Sequence, residues 1–78
     1  MKMVMKLYDG NKYSSDSKKI KEIILDGVEE FRTVMMRKDQ AQQLGCDEFD
    51  PYGSYLWITF EDGTQSMYRN SYVDLFKY

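Results

Sequence analysis

The segment from Tyr55 to Arg69 constrains the fold of this chain more than any other. Residues 55–60 read Tyr-Leu-Trp-Ile-Thr-Phe, and every one of them is aromatic, β-branched or leucine. Such residues lose side-chain freedom in a helix and pack well on a pleated sheet. Asp62-Gly63 separates this run from a second one at 65–69, and this dipeptide tolerates the positive φ of a tight turn. The segment therefore predicts a β-hairpin.

The register of this hairpin determines which side chains share a face. A two-residue turn at Asp62-Gly63 places Trp57 opposite Tyr68 and Ile58 opposite Met67. A bulged turn would shift the return strand by one residue, and we prefer the first register because it separates apolar from amphipathic side chains. The apolar face then holds Leu56, Ile58, Phe60 and Met67, and the other face holds Tyr55, Trp57, Thr59, Ser66 and Tyr68.

The remaining chain predicts further strands and one short helix. Alternation of apolar and mixed residues from Met1 predicts a strand to Tyr8. Residues 20–36 fit either an amphipathic helix or two strands turning at Asp26-Gly27, and we favour a second hairpin because glycine weakens a helix interior. Residues 37–44 predict a helix that ends at Gly45. The last residues, 72–76, predict a short strand or a 3₁₀ turn.

This order of elements is typical of a mainly β domain. The fold class we expect for residues 1–78 is one small antiparallel sheet or an SH3-like partly open barrel with one short helix. An α+β fold with an additional helix near residues 16–26 is the alternative.

The charged residues are unevenly distributed, although the net charge is only −2. Six lysines lie within residues 1–21, whereas residues 46–62 contain five acidic residues and no basic one. Opposite ends of the domain are therefore expected to carry opposite charge.

Catalytic and metal-binding patterns are missing from the sequence. The chain has no histidine, the commonest general base and transition-metal ligand. The spacing of Asp47, Glu48 and Asp50 does not match an EF-hand loop. We therefore expect no enzyme activity, no cofactor and no metal site.

Two surfaces are candidates for binding. The first is a protein-docking surface built from the aromatic hairpin face and an acidic loop, since Tyr, Trp and Arg dominate protein interfaces. Burial of this face under the protein's own helix or first strand is an equally open interpretation. The predicted partner-binding residues are Tyr52, Tyr55, Trp57, Tyr68, Arg69, Tyr72, Asp47, Glu48 and Asp50. The alternative is a nucleic-acid-binding surface of interleaved lysines and tyrosines, formed by Lys2, Lys6, Tyr8, Lys12, Tyr13, Lys18 and Lys19.

A resemblance bears on the first candidate. The pattern Leu-Trp-Ile-Thr-Phe-Glu-Asp-Gly-Thr at 56–64, followed by Tyr-Arg-Asn-Ser-Tyr-Val at 68–73, resembles small uncharacterised β domains of phages and plasmids. Many proteins of this size and origin, anti-CRISPRs among them, are non-catalytic inhibitors of host enzymes. The resemblance covers about the last third of the chain and transfers no functional residue. It implies a protein-binding module or inhibitor, here of a host defence enzyme.

Expectations about location and partners follow from the remaining signals. A single cysteine, Cys46, excludes an internal disulfide and suits a reducing compartment. The first residues lack the apolar core of a signal peptide, and no run approaches about 18 apolar residues. We expect a cytoplasmic protein that binds another protein, with nucleic acid as the second choice and no membrane. A partner that meets the acidic loop should present a basic surface. Monomer and homodimer both remain open.

Overall fold

The computed structural model describes residues 1–78, which form six strands, one α-helix and one 3₁₀ turn. The elements are β1 (Met3–Asp9), β2 (Lys18–Leu25), β3 (Val28–Met35), α1 (Lys38–Gln43), β4 (Ser54–Phe60), β5 (Gln65–Arg69), the 3₁₀ turn (Asn70–Tyr72) and β6 (Val73–Lys77).

The strands build two antiparallel three-stranded sheets. The first sheet has the order β2-β1-β6 and the second has the order β3-β4-β5. The chain crosses from the first sheet to the second at residues 26–27 and returns through the 3₁₀ turn. The mainly β class with one short helix is confirmed, and the strands form two antiparallel sheets and no closed barrel. The additional helix near residues 16–26 is wrong, because residues 18–25 are strand β2.

The core lies between the two sheets. Met3 and Met5 of β1 pack with Leu56 and Ile58 of β4, and Val28 completes this contact at the sheet crossing. All of these side chains are almost fully removed from water. Burial of such side chains is the main stabilising contribution in a domain of this size. Val73 is the remaining buried member, and Leu7, Ile23, Leu25, Phe60, Tyr68 and Leu75 pack around the cluster.

The second hairpin that we predicted at Asp26-Gly27 is only half correct. Both flanking strands form, yet β2 pairs with β1 and β3 pairs with β4. Pairing β2 with β1 places Ile23 opposite Met5, so both side chains reach the core from the same face. Residues 26–27 therefore form a corner between the sheets and not the turn of a hairpin.

The hairpin of β4 and β5 is confirmed, but its preferred register is wrong by one residue. Trp57 lies opposite Met67, and Leu56 lies opposite Tyr68. The Phe60 N–H donates to the Thr64 carbonyl at 2.9 Å, which leaves a three-residue loop. Gly63 has φ of 88°, as a bulged turn requires. The shift moves Tyr68 to the core side of the sheet.

The helix α1 forms where the sequence predicted it. The side-chain oxygen of Gln40 accepts a hydrogen bond from the Arg37 N–H at 3.0 Å, and Gly45 ends the helix with φ of 95°. Ala41 is buried, whereas Leu44, just after the helix, is half-exposed. A helix able to cross a lipid bilayer is not found in the structure.

Candidate functional site: a tyrosine groove

The predicted aromatic docking face does not exist as one surface, because Tyr55 is fully buried. Its ring packs with Ala41 and Cys46 beneath α1. Its hydroxyl accepts a hydrogen bond from the Asp50 N–H at 3.2 Å and donates to the Glu48 carbonyl at 3.4 Å. Tyr55 therefore anchors the loop after α1, and its assignment as a partner-binding residue is wrong.

Asp50 is also buried and also structural. One carboxylate oxygen accepts the Tyr52 N–H at 2.8 Å, and the other accepts the Ser71 hydroxyl at 2.7 Å and the Ser71 N–H at 3.4 Å. A buried carboxylate is tolerated when hydrogen bonds replace its hydration. Asp50 ties the loop to the 3₁₀ turn and is inaccessible to a partner, contrary to its assignment.

Trp57 and Tyr52 lie away from the other predicted residues. Trp57 is half-buried on the outer face of the second sheet, where the Arg32 guanidinium lies 5.0 Å from its ring centroid. Tyr52 is exposed in the loop before β4. Neither residue lines the groove described next.

Four predicted residues do come together in a groove at one end of the molecule. Six of its eight lining residues are hydrophobic, and its volume is about 290 Å³. We call it the tyrosine groove, lined by Leu7, Tyr8, Ile20, Glu48, Tyr68, Arg69, Tyr72 and Val73. It combines the end of β1, the start of β2, the end of β5 and the 3₁₀ turn.

A β-bulge brings Ile20 to this groove. Leu7 pairs with Lys21 but Tyr8 pairs with Lys19, so Ile20 is the extra residue on β2. A bulge redirects the side chain at that point. Ile20 is one of the most exposed apolar residues of the domain. Sequence reasoning missed it because a bulge leaves no mark in the alternation of residues.

Charged groups are held at the rim of the tyrosine groove. The Arg69 Nε atom lies 2.8 Å from Glu48 Oε2, and the Arg69 guanidinium stacks 3.8 Å from the centroid of the Tyr72 ring. The ion pair and the stacking orient the planar guanidinium together. Partial burial raises the pKa of Tyr8, and the nearby Asp74 carboxylate raises it further. The Tyr8 hydroxyl is protonated at neutral pH, as in any tyrosine of ordinary pKa, and can donate a hydrogen bond.

A second cavity continues the surface toward the acidic loop, which we define as residues 46–50. It has a volume of about 320 Å³ and shares Glu48 and Tyr68 with the tyrosine groove. Asp47 and Glu48 are exposed there. The other lining residues are Gly45, Cys46, Asp47 and Met67. Of the predicted aromatic residues, Tyr68 and Tyr72 therefore lie near the predicted acids Asp47 and Glu48, whereas Tyr52, Tyr55 and Trp57 do not line either cavity.

A third cavity lies at the corner between the sheets and differs in character. It holds about 310 Å³ but has only one hydrophobic lining residue, Phe60. The N-terminal ammonium of Met1 lies 3.4 Å from the Glu61 carboxylate beside it. Binding sites usually combine apolar walls with a few polar groups, a description that fits the tyrosine groove better.

The lysines of the alternative nucleic-acid surface are partly compensated by acids. Lys12 donates to the Val73 carbonyl at 2.8 Å and lies 2.9 Å from Asp74, and Lys19 lies 2.7 Å from Glu22. Lys6 is flanked across the first sheet by the same two acids, Glu22 and Asp74. Lys2 lies over the Tyr78 ring, whereas Tyr13 and Lys18 are exposed. Local neutralisation reduces the attraction that this face offers to phosphates.

The aspartate, glutamate and cysteine side chains are dispersed. No three of them lie close enough together to hold a metal ion. Cys46 is buried, with its Sγ atom 3.7 Å from the Glu48 carbonyl.

Comparisons of the chain with protein-family models, with curated proteins and with solved structures give no match. The geometry of the tyrosine groove is therefore the basis for assigning a function.

Proposed function

We propose that this domain is a non-catalytic protein-binding module that holds an extended segment of a partner protein in the tyrosine groove. The observation that carries the proposal is the convergence of Tyr8, Tyr68 and Tyr72 around the stacked Arg69–Glu48 pair. Tyrosine and arginine are the residue types that contribute most binding energy at protein interfaces. Tyrosine offers a rigid apolar ring together with a polar edge.

The shape and charge of the site define the segment that it would accept. A groove of about 290 Å³ suits one or two side chains of an extended segment more than a flat globular surface. Apolar side chains of the segment would lie against the tyrosine rings and Ile20. A lysine or arginine of the segment would meet Asp47 and Glu48 in the adjoining acidic loop, where opposite charge favours association.

Three features support a narrower form of the proposal. The resemblance of residues 56–73 to small phage and plasmid β domains favours an inhibitor of a host defence enzyme as the biological role. A basic surface, such as the nucleic-acid channel of that enzyme, matches the acidic loop. The buried, unpaired Cys46 is consistent with the cytoplasm as the compartment.

The test begins with a peptide display library selected on the folded domain. Selected peptides should combine apolar and basic residues, and their titration should shift the amide signals of Ile20 and Tyr72. The substitution Tyr72→Ala should weaken the binding of a selected peptide at least about tenfold, the loss expected for a central interface aromatic residue. Tyr78→Ala is the matched control, because Tyr78 lies exposed beyond the far end of β6, and it should leave affinity unchanged.

A second pair of substitutions tests the acidic loop. Combined Asp47→Asn and Glu48→Gln should slow association and flatten its salt dependence. Peptides whose affinity is indifferent to Tyr72 would refute the assignment of the groove. Salt-sensitive binding of single-stranded oligonucleotides that disappears with Lys18→Ala and Lys19→Ala would favour the nucleic-acid alternative instead.

A further inference from the structure

Strand β3 has a free edge whose backbone polar groups lack a partner strand. β3 is the outer strand of the second sheet, and its inner neighbour is β4. Met36 donates its N–H to the Gly53 carbonyl at 2.9 Å, in register with the β3–β4 ladder. Because alternate residues bond to the same neighbour, the N–H and C=O groups of Phe31, Thr33 and Met35 point away from β4. This part of the strand can therefore accept another strand.

Only one end of this edge is protected. The Val28 N–H donates to the Met1 carbonyl at 2.9 Å, and the Met1 ammonium donates to the Val28 carbonyl at 2.8 Å. A register shift follows between Val28 and Glu30, so the edge is also bulged there. Proteins use such coverage and bulges, with lysine and proline, to prevent edge pairing. Residues 31–36, Phe-Arg-Thr-Val-Met-Met, contain neither lysine nor proline and carry no bulge.

Two of the exposed side chains along the same stretch, Phe31 and Met35, are apolar. Met35 is 72% exposed and Phe31 is 43% exposed. Phe31 lies opposite Ile58 and Met35 lies opposite Ser54, so both are on the core side of the sheet, yet neither belongs to the buried core cluster. An added strand would cover them without any change in the core.

We infer that β3 pairs antiparallel with β3 of a second copy of this chain, about a two-fold axis at Thr33. This register places Phe31 opposite Met35 of the second copy, and the reverse, so that the exposed apolar side chains cover one another. It also satisfies the outward backbone groups of Phe31, Thr33 and Met35 together. The Glu29 end of each edge meets the Arg37 end of the other, which adds opposite charges at both flanks.

Two other two-fold registers, with the axis at Arg32 or at Phe31, are less favourable. An axis at Arg32 would place two arginines directly opposite each other, which is destabilising. An axis at Phe31 would pair Val34 with Val28, whose backbone groups are already bonded to Met1. The axis at Thr33 alone among these three confines the pairing of residues 31–35 to the straight, unprotected part of the strand.

The dimer would join the two second sheets into one continuous sheet. The tyrosine groove lies at the opposite edge, where β5 contributes Tyr68 and Arg69. Both grooves would remain open, and a dimer would present them as a pair. The inference stands on the β3 edge alone and does not depend on the function proposed for the groove.

The mass of the full chain in solution tests the dimer. Sedimentation velocity across a wide concentration range should show a reversible dimer. Met35→Lys places one charge from each copy in the interface and should raise the dimer dissociation constant at least about tenfold. Thr33→Pro removes an outward N–H and should have the same effect. Ile24→Lys is the matched control, since Ile24 is an exposed apolar residue of the first sheet, and it should leave dimerisation unchanged.

A cross-link tests the register separately. Thr33→Cys should form an intermolecular disulfide on oxidation, because residues directly opposite in a ladder have Cα atoms about 5.5 Å apart. Gln65→Cys, at the far edge on β5, should not. A chain that is monomeric at every concentration overturns the inference. A dimer that persists in both Met35→Lys and Thr33→Pro, with circular dichroism unchanged, also overturns it. A dimer that Ile24→Lys abolishes overturns it as well.

Discussion

Two of the three Asp-Gly pairs in this chain share the dipeptide but have opposite roles. Asp62-Gly63 closes the hairpin of β4 and β5, whereas Asp26-Gly27 forms a corner between two strands that do not pair with each other. Both glycines adopt a positive φ, 71° at Gly27 and 88° at Gly63. The dipeptide therefore determines the local backbone and not the partner of the strands that flank it.

The surroundings of each pair explain the difference. At the hairpin, the Asp62 side chain accepts the Thr64 N–H at 2.9 Å and the Thr64 hydroxyl at 2.6 Å, so the turn is closed by its own residues. At the corner, the Gly27 carbonyl instead accepts the Glu61 N–H at 2.7 Å from the hairpin loop. Contacts distant in sequence hold the corner, whereas local contacts hold the hairpin.

The largest difference should appear at the residue after each glycine. Val28 is buried between the sheets, and Thr64 is exposed. Val28→Ala removes two buried methylene equivalents and leaves a cavity, so it should lower the free energy of unfolding by about 2–3 kcal/mol. Thr64→Ala should lower it by at most about 1 kcal/mol, the value of one exposed hydrogen bond. Urea denaturation of both variants measures the difference, and equal losses would contradict the distinction between corner and turn.

This contrast also shows what sequence reasoning could reach. The alternation around Met3 and Met5 and the run from Tyr55 to Phe60 are local, and they identified strands correctly. The partner of β2 depends on Met5 meeting Ile23, a contact that no local pattern contains. The hairpin register depended on Asp62 bonding to Thr64, which favours the longer loop and is not evident from the Asp-Gly dipeptide.

The candidate site was harder to predict than the fold for the same reason. Tyr68, Arg69 and Tyr72 were found because they follow the hairpin and are typical interface residues. The one-residue register shift places Tyr68 on the opposite face of the sheet from the predicted one. The predicted docking surface therefore grouped Tyr68 with residues that it does not contact. Burial of Tyr55 depends on α1 covering it, a contact between distant residues that no local pattern of the sequence contains.

Substitution of either glycine should lower the free energy of unfolding by a similar amount, but the part of the molecule that is affected should differ. A side chain in the left-handed region costs about 1–2 kcal/mol, and neither site has a tighter contact than 3.8 Å for an added Cβ. Gly63→Ala should increase amide exchange in β4 and β5, because only the hairpin loses its turn. Gly27→Ala should increase exchange in both sheets, since the corner connects them. Asparagine at either position tolerates a positive φ and should cost less than alanine.

Exchange confined to the hairpin in both variants would contradict the role of the corner. Indistinguishable effects of alanine and asparagine at Gly63 would contradict backbone strain as the cause, because the two residues differ in their tolerance of that conformation.

The smallest expected effect is a pH dependence at the hairpin turn. The hydrogen bonds from the Thr64 hydroxyl and N–H lower the pKa of Asp62 below its ordinary value of 3.8. The unfolded chain then binds more protons than the folded one in the acidic range, so the contribution is complete above the ordinary pKa and is lost as the pH falls through the lowered one. Asp62→Asn keeps an acceptor oxygen but no titrating group.

The difference in melting temperature between the original chain and Asp62→Asn should therefore be constant at neutral pH and shrink below about pH 4. When both chains also carry Thr64→Ala, the pH-dependent part of this difference in melting temperature should be smaller, because the hydrogen bond from the Thr64 hydroxyl is gone. A difference that grows on acidification would show that the carboxylate is not held by Thr64, and the hairpin would then resemble the corner in depending on contacts beyond its own residues.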